Sequence, residues 1–109
     1  MLEFLFDDIY KVYVGESAQD NWDLIDKASQ NDLWFHLESF SSPHVIVTVD
    51  NPKIKIPKTV LKYAAQLCHE HSKYKLIKNI KVIWTEIKNV SKAIKVGSVY
   101  TKKTHTIKL

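Results

Sequence analysis

The sequence predicts an α+β fold: one domain over residues 1–109, with a largely antiparallel sheet of about seven short strands and two packed helices. Three observations carry that expectation. Apolar residues alternate with polar ones through several short runs, the period of a half-buried strand. Two longer stretches repeat their apolar residues at helical spacing instead. The links between strand-like runs are mostly short, so that neighbours in sequence can pair antiparallel. A chain of 109 residues, 45% hydrophobic and 26% charged, supports one core with little to spare for a second.

Taken in order, Leu2–Phe6 and Tyr10–Val14 read as strands about an Asp7-Asp8 turn, and Gly15 ends the second. Ser17 and Asp20 have capping-box spacing, with Asp20 a short substitute for the usual glutamate. A helix follows to about Ala28, with Trp22, Ile25 and Ala28 on a shared face, which places Trp22 in the core. After the Ser29-Gln30-Asn31 loop come two apolar runs, Leu33–Leu37 and Val45–Val49. Pro43 and the serines Ser39, Ser41 and Ser42 lie between them. Alternation puts Leu33, Phe35 and Leu37 on one face of the first run and Trp34 and His36 on the other. That second face is either another core layer or a surface for a ligand.

Asp50-Asn51-Pro52 ends the second run. The next helix starts at Ile56-Pro57, with proline in the first helical position, where its missing amide proton has no partner to lose. Val60, Leu61, Ala64, Leu67, Cys68 and His71 form its apolar stripe, while Lys58, Lys62, Gln66, His69, Glu70 and Lys73 face outward. Cys68 reads as a small core residue, since nothing nearby activates its thiol. Asn79–Glu86 is a strand with Ile80, Val82 and Trp84 on one side, so Trp84 belongs to the core unless the strand is an edge. Asn89–Val96 reads as irregular. Gly97–Tyr100 and Thr104–Leu109 read as a closing hairpin around Lys102-Lys103.

Charge is the informative part of the composition. Residues 1–50 hold two lysines against ten carboxylates, a net charge of −8; residues 51–109 hold fourteen lysines against two, a net charge of +12. An electropositive face of that kind attracts phosphate backbones and other polyanions. Every basic residue is lysine and none is arginine. Lysine is a point charge without the planar fork that reads guanine, so recognition by shape and backbone is expected rather than a base code. The bland reading of the same lysines is a solvated surface. The single cysteine excludes an internal disulfide, the apolar runs are too short to span a bilayer, and Met1-Leu2-Glu3-Phe4 lacks the basic start of a signal peptide. A cytoplasmic, reducing location is expected.

Val14-Gly15, Asn21, Leu24, the run Asp32-Leu33-Trp34-Phe35-His36, His44-Val45 and Ile56-Pro57 resemble, in order, the NFACT-R domain, formerly a domain of unknown function. Leu61, Ala64-Ala65, Ser72-Lys73, Asn79, Val82, Thr85, Lys88-Asn89-Val90, Lys92, Gly97, Val99 and Thr106-Ile107 continue the likeness, which covers nearly everything after the first hairpin. Such modules close multidomain ribosome-quality-control factors and bacterial fibronectin-binding-like proteins, and occur alone in small coiled-coil-domain-containing proteins. Many long members have Gly-Ser before the second histidine, where this chain has Ser42-Pro43. The stand-alone branch is therefore expected, without its coiled-coil extension.

The resemblance implies a nucleic-acid-binding role connected with translation. Structured RNA (tRNA or ribosomal RNA) is the implied partner, with DNA and the ribosome or its factors as further candidates. No cofactor is implied, and nothing specifies an oligomeric state. His36 and His44 would need two more donors to hold a metal, and they have no obvious nucleophile to activate, so neither a metal site nor an enzyme is expected. They are either structural, anchored by Asp32 or Ser42, or ligand contacts in which Trp34 or His36 stacks on a base. Lys58 and Lys62 lie one turn apart on the second helix, Lys73 and Lys75 beyond its end, and Lys88 and Lys92 at positions matching the family. These six are expected to form one phosphate-tracking patch, with Trp34, His36 and His44 on a rim beside it. The alternative is a protein-interaction adaptor that docks on the ribosome or its factors, with the signature run mainly structural; the acidic trio Asp20, Asp23 and Asp26 on the first helix is the feature that supports it.

Overall fold

In the computed structural model, which describes residues 1–109, the chain opens with the expected hairpin of β1 (Leu2–Phe6) and β2 (Tyr10–Val14). Asp7 and Asp8 both take left-handed φ values, 53° and 55°, as a tight hairpin turn requires; aspartate tolerates that region better than bulkier residues do. Helix α1 (Ala18–Lys27) follows. The Ser17 hydroxyl accepts the Asp20 amide proton at 3.1 Å, and the Asp20 carboxylate reaches back to the Glu16 amide, also at 3.1 Å. The short aspartate thus completes a capping box one residue earlier than glutamate would.

Strands β3 (Leu33–Leu37), β4 (Val45–Val47), β5 (Lys81–Glu86) and β8 (His105–Lys108) complete a six-stranded antiparallel sheet in the order β1-β2-β4-β3-β5-β8. Helix α2 (Lys58–Glu70) covers one face of it, packing on β2, β3, β4 and β5. Its stripe of Val60, Ala64, Leu67 and Cys68 meets Val12, Val14, Leu33, Phe35, Leu37, Val45, Val47 and Val82 in the main core. Small alanines at the contact let the helix sit close to the sheet.

The other face of the sheet is covered too. A second cluster joins Leu24 of α1, Trp34 of β3, Ile46 of β4, Ile87, and Val90 of β6 (Val90–Lys92), which pairs with β7 (Val99–Thr101) in a separate two-stranded sheet. Burying each of these side chains contributes about 1.5–3 kcal/mol, enough to make the second layer a genuine core. The central strands β3 and β4 are therefore apolar on both faces, and their sequences read as near-continuous hydrophobic runs for that reason.

Several sequence-based expectations change. There are eight strands where about seven were expected. β4 stops at Val47 rather than Val49, and Pro57 is the N-cap of α2 rather than its first helical residue. His71 leaves the apolar stripe, because it caps α2 and is exposed beside the Phe4 ring. Trp22 is half-buried, not core: its indole N–H donates to the Ser98 carbonyl at 3.0 Å, and the Lys92 ammonium lies 5.4 Å from its ring centroid. Residues 89–96 are not all irregular, since a 3-10 turn (Ile87–Asn89) leads into β6.

The closing hairpin does not form. β7 pairs with β6 and β8 pairs with β5. The two runs bury their apolar residues in different cores, Val99 in the second cluster and Ile107 against the first. The Thr85 hydroxyl, 3.3 and 3.1 Å from the Lys102 and Lys103 carbonyls, and the Asn89 carbonyl, accepting from the Lys102 amide at 3.1 Å, hold the crossover between them.

Candidate nucleic-acid interface

Asp32 stands at the entry to β3 and is buried. Its two carboxylate oxygens accept the Val49 and Ser29 amide protons, each at 2.9 Å, and its carbonyl accepts the Ile87 amide proton at 2.8 Å. One residue thereby ties the end of α1, the end of β4 and the turn after β5. Hydrogen bonds to a charged acceptor are about twice as strong as neutral ones, which is why an aspartate serves at a buried junction.

Two residues on, Trp34 is 1% exposed and His44 likewise 1%. The Trp34 indole N–H donates to His44 Nδ1 at 3.1 Å, and the two rings meet edge-on at 5.4 Å. With Nδ1 accepting, the neutral imidazole carries its proton on Nε2, on the side of the Gly97 backbone. Burial, aided by the nearby His36, lowers the His44 pKa to about 3, and the Gly97 contact opposes that shift only in part. The His44 amide donates to Asn21 Oδ1 at 3.1 Å, while its carbonyl accepts from the Gly15 amide at 3.0 Å.

Both glycines belong to this junction. A Cβ on Gly15 would lie 2.0 Å from Asn21 Oδ1; one on Gly97, which has φ +86°, would lie 2.8 Å from the Ala18 Cβ. Gly15, Asn21, Trp34, His44 and Gly97, spread over most of the chain, thus meet in one staple that joins β2, α1, β3, β4 and the loop before β7.

This overturns the rim placement of Trp34 and His44, because both are interior. It also replaces the expected anchors. Asp32 spends its oxygens on Ser29 and Val49, and the Ser42 hydroxyl bonds the Leu37 amide and the Pro43 carbonyl, each at 3.0 Å. His36 differs: it is only partly buried, stacks parallel on Trp34 at 5.7 Å, and holds Nδ1 2.6 Å from the Leu37 carbonyl. Burial lowers its pKa as well. It lines a cleft of about 780 Å³ with His71, Lys73, Lys95 and Ser41, whose deeper wall is the Trp34–His44 pair. Below Pro43, the Cys68 thiol donates to the Pro43 carbonyl at 3.4 Å, and burial pushes its pKa up to about 12, so the thiol is inert at neutral pH. No group of three or more His, Cys, Asp or Glu side chains is placed to hold a metal ion.

The six sequence-selected lysines do not form one patch. Lys58 and Lys88 line a second groove of about 690 Å³, together with Lys55 and Lys103. Lys73 lines the histidine cleft instead. Lys92 belongs to β6, on the opposite side of the sheet from α2, and its ammonium is 2.7 Å from the Asp26 carboxylate. Lys62 and Lys75 are exposed and border neither opening. The spread follows from the two-sided architecture: positions adjacent to one sheet in sequence end on different layers. Lys55 and Lys103 lay outside the selection because neither shares a helix face with the others. Only the docking of β8 on β5 brings them together.

A two-sided sheet stapled at its signature residues and coated with lysine defines a polyanion-compatible α+β module. The family model described as "NFACT protein RNA binding domain" matches residues 2–108, and the chain belongs to that family. Coiled-coil domain-containing protein 25 of Mus musculus is 35% identical over 86 residues, which cover 76% of this chain and 41% of the mouse protein. The Danio rerio protein of the same name is 32% identical over 90 residues, 76% of this chain and 42% of its own length. The chain therefore spans less than half the length of these relatives. Among solved structures, the C-terminal part of the fibronectin/fibrinogen-binding protein from Streptococcus suis superposes with a TM-score of 0.88 at 28% identity, covering 98% of this chain and 43% of the other.

Proposed function

We propose that this domain is a non-enzymatic binder of structured RNA, either tRNA or ribosomal RNA, acting through lysine–phosphate contacts in a cytoplasmic translation or ribosome-quality-control setting. The observation that carries the reading is the state of the lysines. All sixteen are exposed, and only Lys88 and Lys92 lie within ion-pair distance of a carboxylate. So many unpaired ammonium groups repel one another, and a phosphate backbone relieves that repulsion while releasing its own counterions. The absence of arginine supports backbone and shape recognition over base readout.

The acidic trio that the adaptor alternative relies on makes contacts within the domain. Asp20 is engaged with the Glu16 amide, Asp23 with the Gln19 side chain at 3.0 Å, and Asp26 with Lys92. The acidic trio is largely satisfied within the domain. The test is an anisotropy titration of tRNA and unrelated RNA hairpins at low salt, with Lys58→Glu and Lys62→Glu in one variant. The double charge reversal should weaken every RNA by a similar factor. No binding at low salt, or loss confined to one sequence, would overturn the reading.

A further inference from the structure

The aromatic row that begins at Phe35 leads out of the core into the second groove. Across β3, β5 and β8 the register pairs Phe35 with Trp84 and Trp84 with His105. Their ring centroids are 6.1 and 4.4 Å apart, with interplanar angles of 24° and 27°. The inner ring is fully buried, the middle one half-buried, and His105 at the sheet edge is exposed. The stack thus ends on a ring with one face open. Around it the groove collects Lys55, Lys58 at the first position of α2, Lys88 on the 3-10 turn and Lys103 on the β7–β8 crossover. Glu86 is the only acidic lining residue, and its carboxylate is 3.3 Å from Lys88.

Phe35 and Trp84 alone would seal the core, so burial does not explain why a planar ring continues the stack into solvent between four cations. A polyanion with exposed planar bases satisfies both features at once. Bases in a duplex are stacked on each other and offer no free face, whereas an unpaired base does. We propose that this groove takes an unpaired stretch of RNA, one base lying on the His105–Trp84 stack and the flanking phosphates on Lys55, Lys58, Lys88 and Lys103. The proposal rests on the RNA-binding reading above and specifies which part of the RNA enters this groove.

The experiment compares oligouridylate with a blunt RNA duplex of equal charge, each titrated at low salt against the unmodified domain, His105→Ala and His105→Phe. His105 is exposed, so its removal leaves both cores intact; an unchanged melting temperature verifies this. His105→Ala should weaken oligouridylate about tenfold and leave the duplex unchanged, and His105→Phe should restore the single-strand affinity. If both probes bind and His105→Ala changes neither, or both equally, the stacking groove is wrong while the RNA reading stands. If neither probe binds, the RNA reading itself falls.

Discussion

At the scale of single residues, Trp34 shows how a side chain can look like a binding aromatic and serve as a structural donor. Its indole N–H is the only partner of His44 Nδ1, deep between two layers. Trp34→Phe keeps an aromatic ring but strands that acceptor, and should cost about 1–3 kcal/mol in urea denaturation, with a further loss from the cavity. His44 also makes the fold acid-sensitive. Its folded pKa, about 3, lies below the 6.5 of an ordinary histidine, so the unfolded chain takes up the proton first as pH falls. Stability is complete above pH 6.5 and declines from there toward pH 3. One such group costs about 1.4 kcal/mol per pH unit in that window, or about 2 kcal/mol by pH 5. His36, shifted the same way, steepens the loss. Denaturation midpoints at pH 7, 6 and 5 check this, and in His44→Gln the slope should flatten.

At the scale of elements, the links between strands matter more than the strands. The periodicities of β1, β2, β3, α1 and α2 were legible because each is a local pattern of burial. The pairing of β7 and β8 was not, because both runs have strand character and a short polar link, which describes a hairpin equally well. The difference lies in Thr85 and Asn89, whose side chains bond each other at 3.0 Å and hold the crossover from below. Asp32 plays a similar part among α1, β4 and the turn after β5. Asp32→Ala leaves the Ser29 and Val49 amides unpaired and should cost about 2–4 kcal/mol. Native-state hydrogen exchange should show faster exchange first at Val49 and Ser29. Equal protection in the variant would show that the carboxylate is dispensable to the junction.

At the scale of the molecule, the charge asymmetry maps onto the sheet. The four strands β1, β2, β4 and β3 come from the acidic half, whereas β5, β8 and α2 come from the basic half. The second groove opens where the basic elements meet. Six lysines in one patch would imply a log–log salt slope near −5 for duplex RNA treated like B-DNA. With four lysines in one groove, a single strand should give a slope of about −3, measured as the association constant against salt from low to physiological concentration. A slope near zero would remove the electrostatic basis of the proposal, and one near −5 would mean that lysines outside the groove take part.

Sequence alone determined the fold class, most strands and both helices, the basic surface and, through Gly15, Asn21, Asp32 to His36, His44 and Gly97, the family. These features are local periodicities, single-residue chemistry or an ordered set of residue identities, and none depends on what lies across the sheet. The tertiary structure decided the rest. It turned the Trp34–His44 pair inward, because α1 and the β6–β7 sheet cover the second face. It divided the lysines between layers, and it paired His105 with Trp84 at an open edge. A strand's alternation says that it has two faces; only the packing of remote elements says which face is dry and which lysines share a groove.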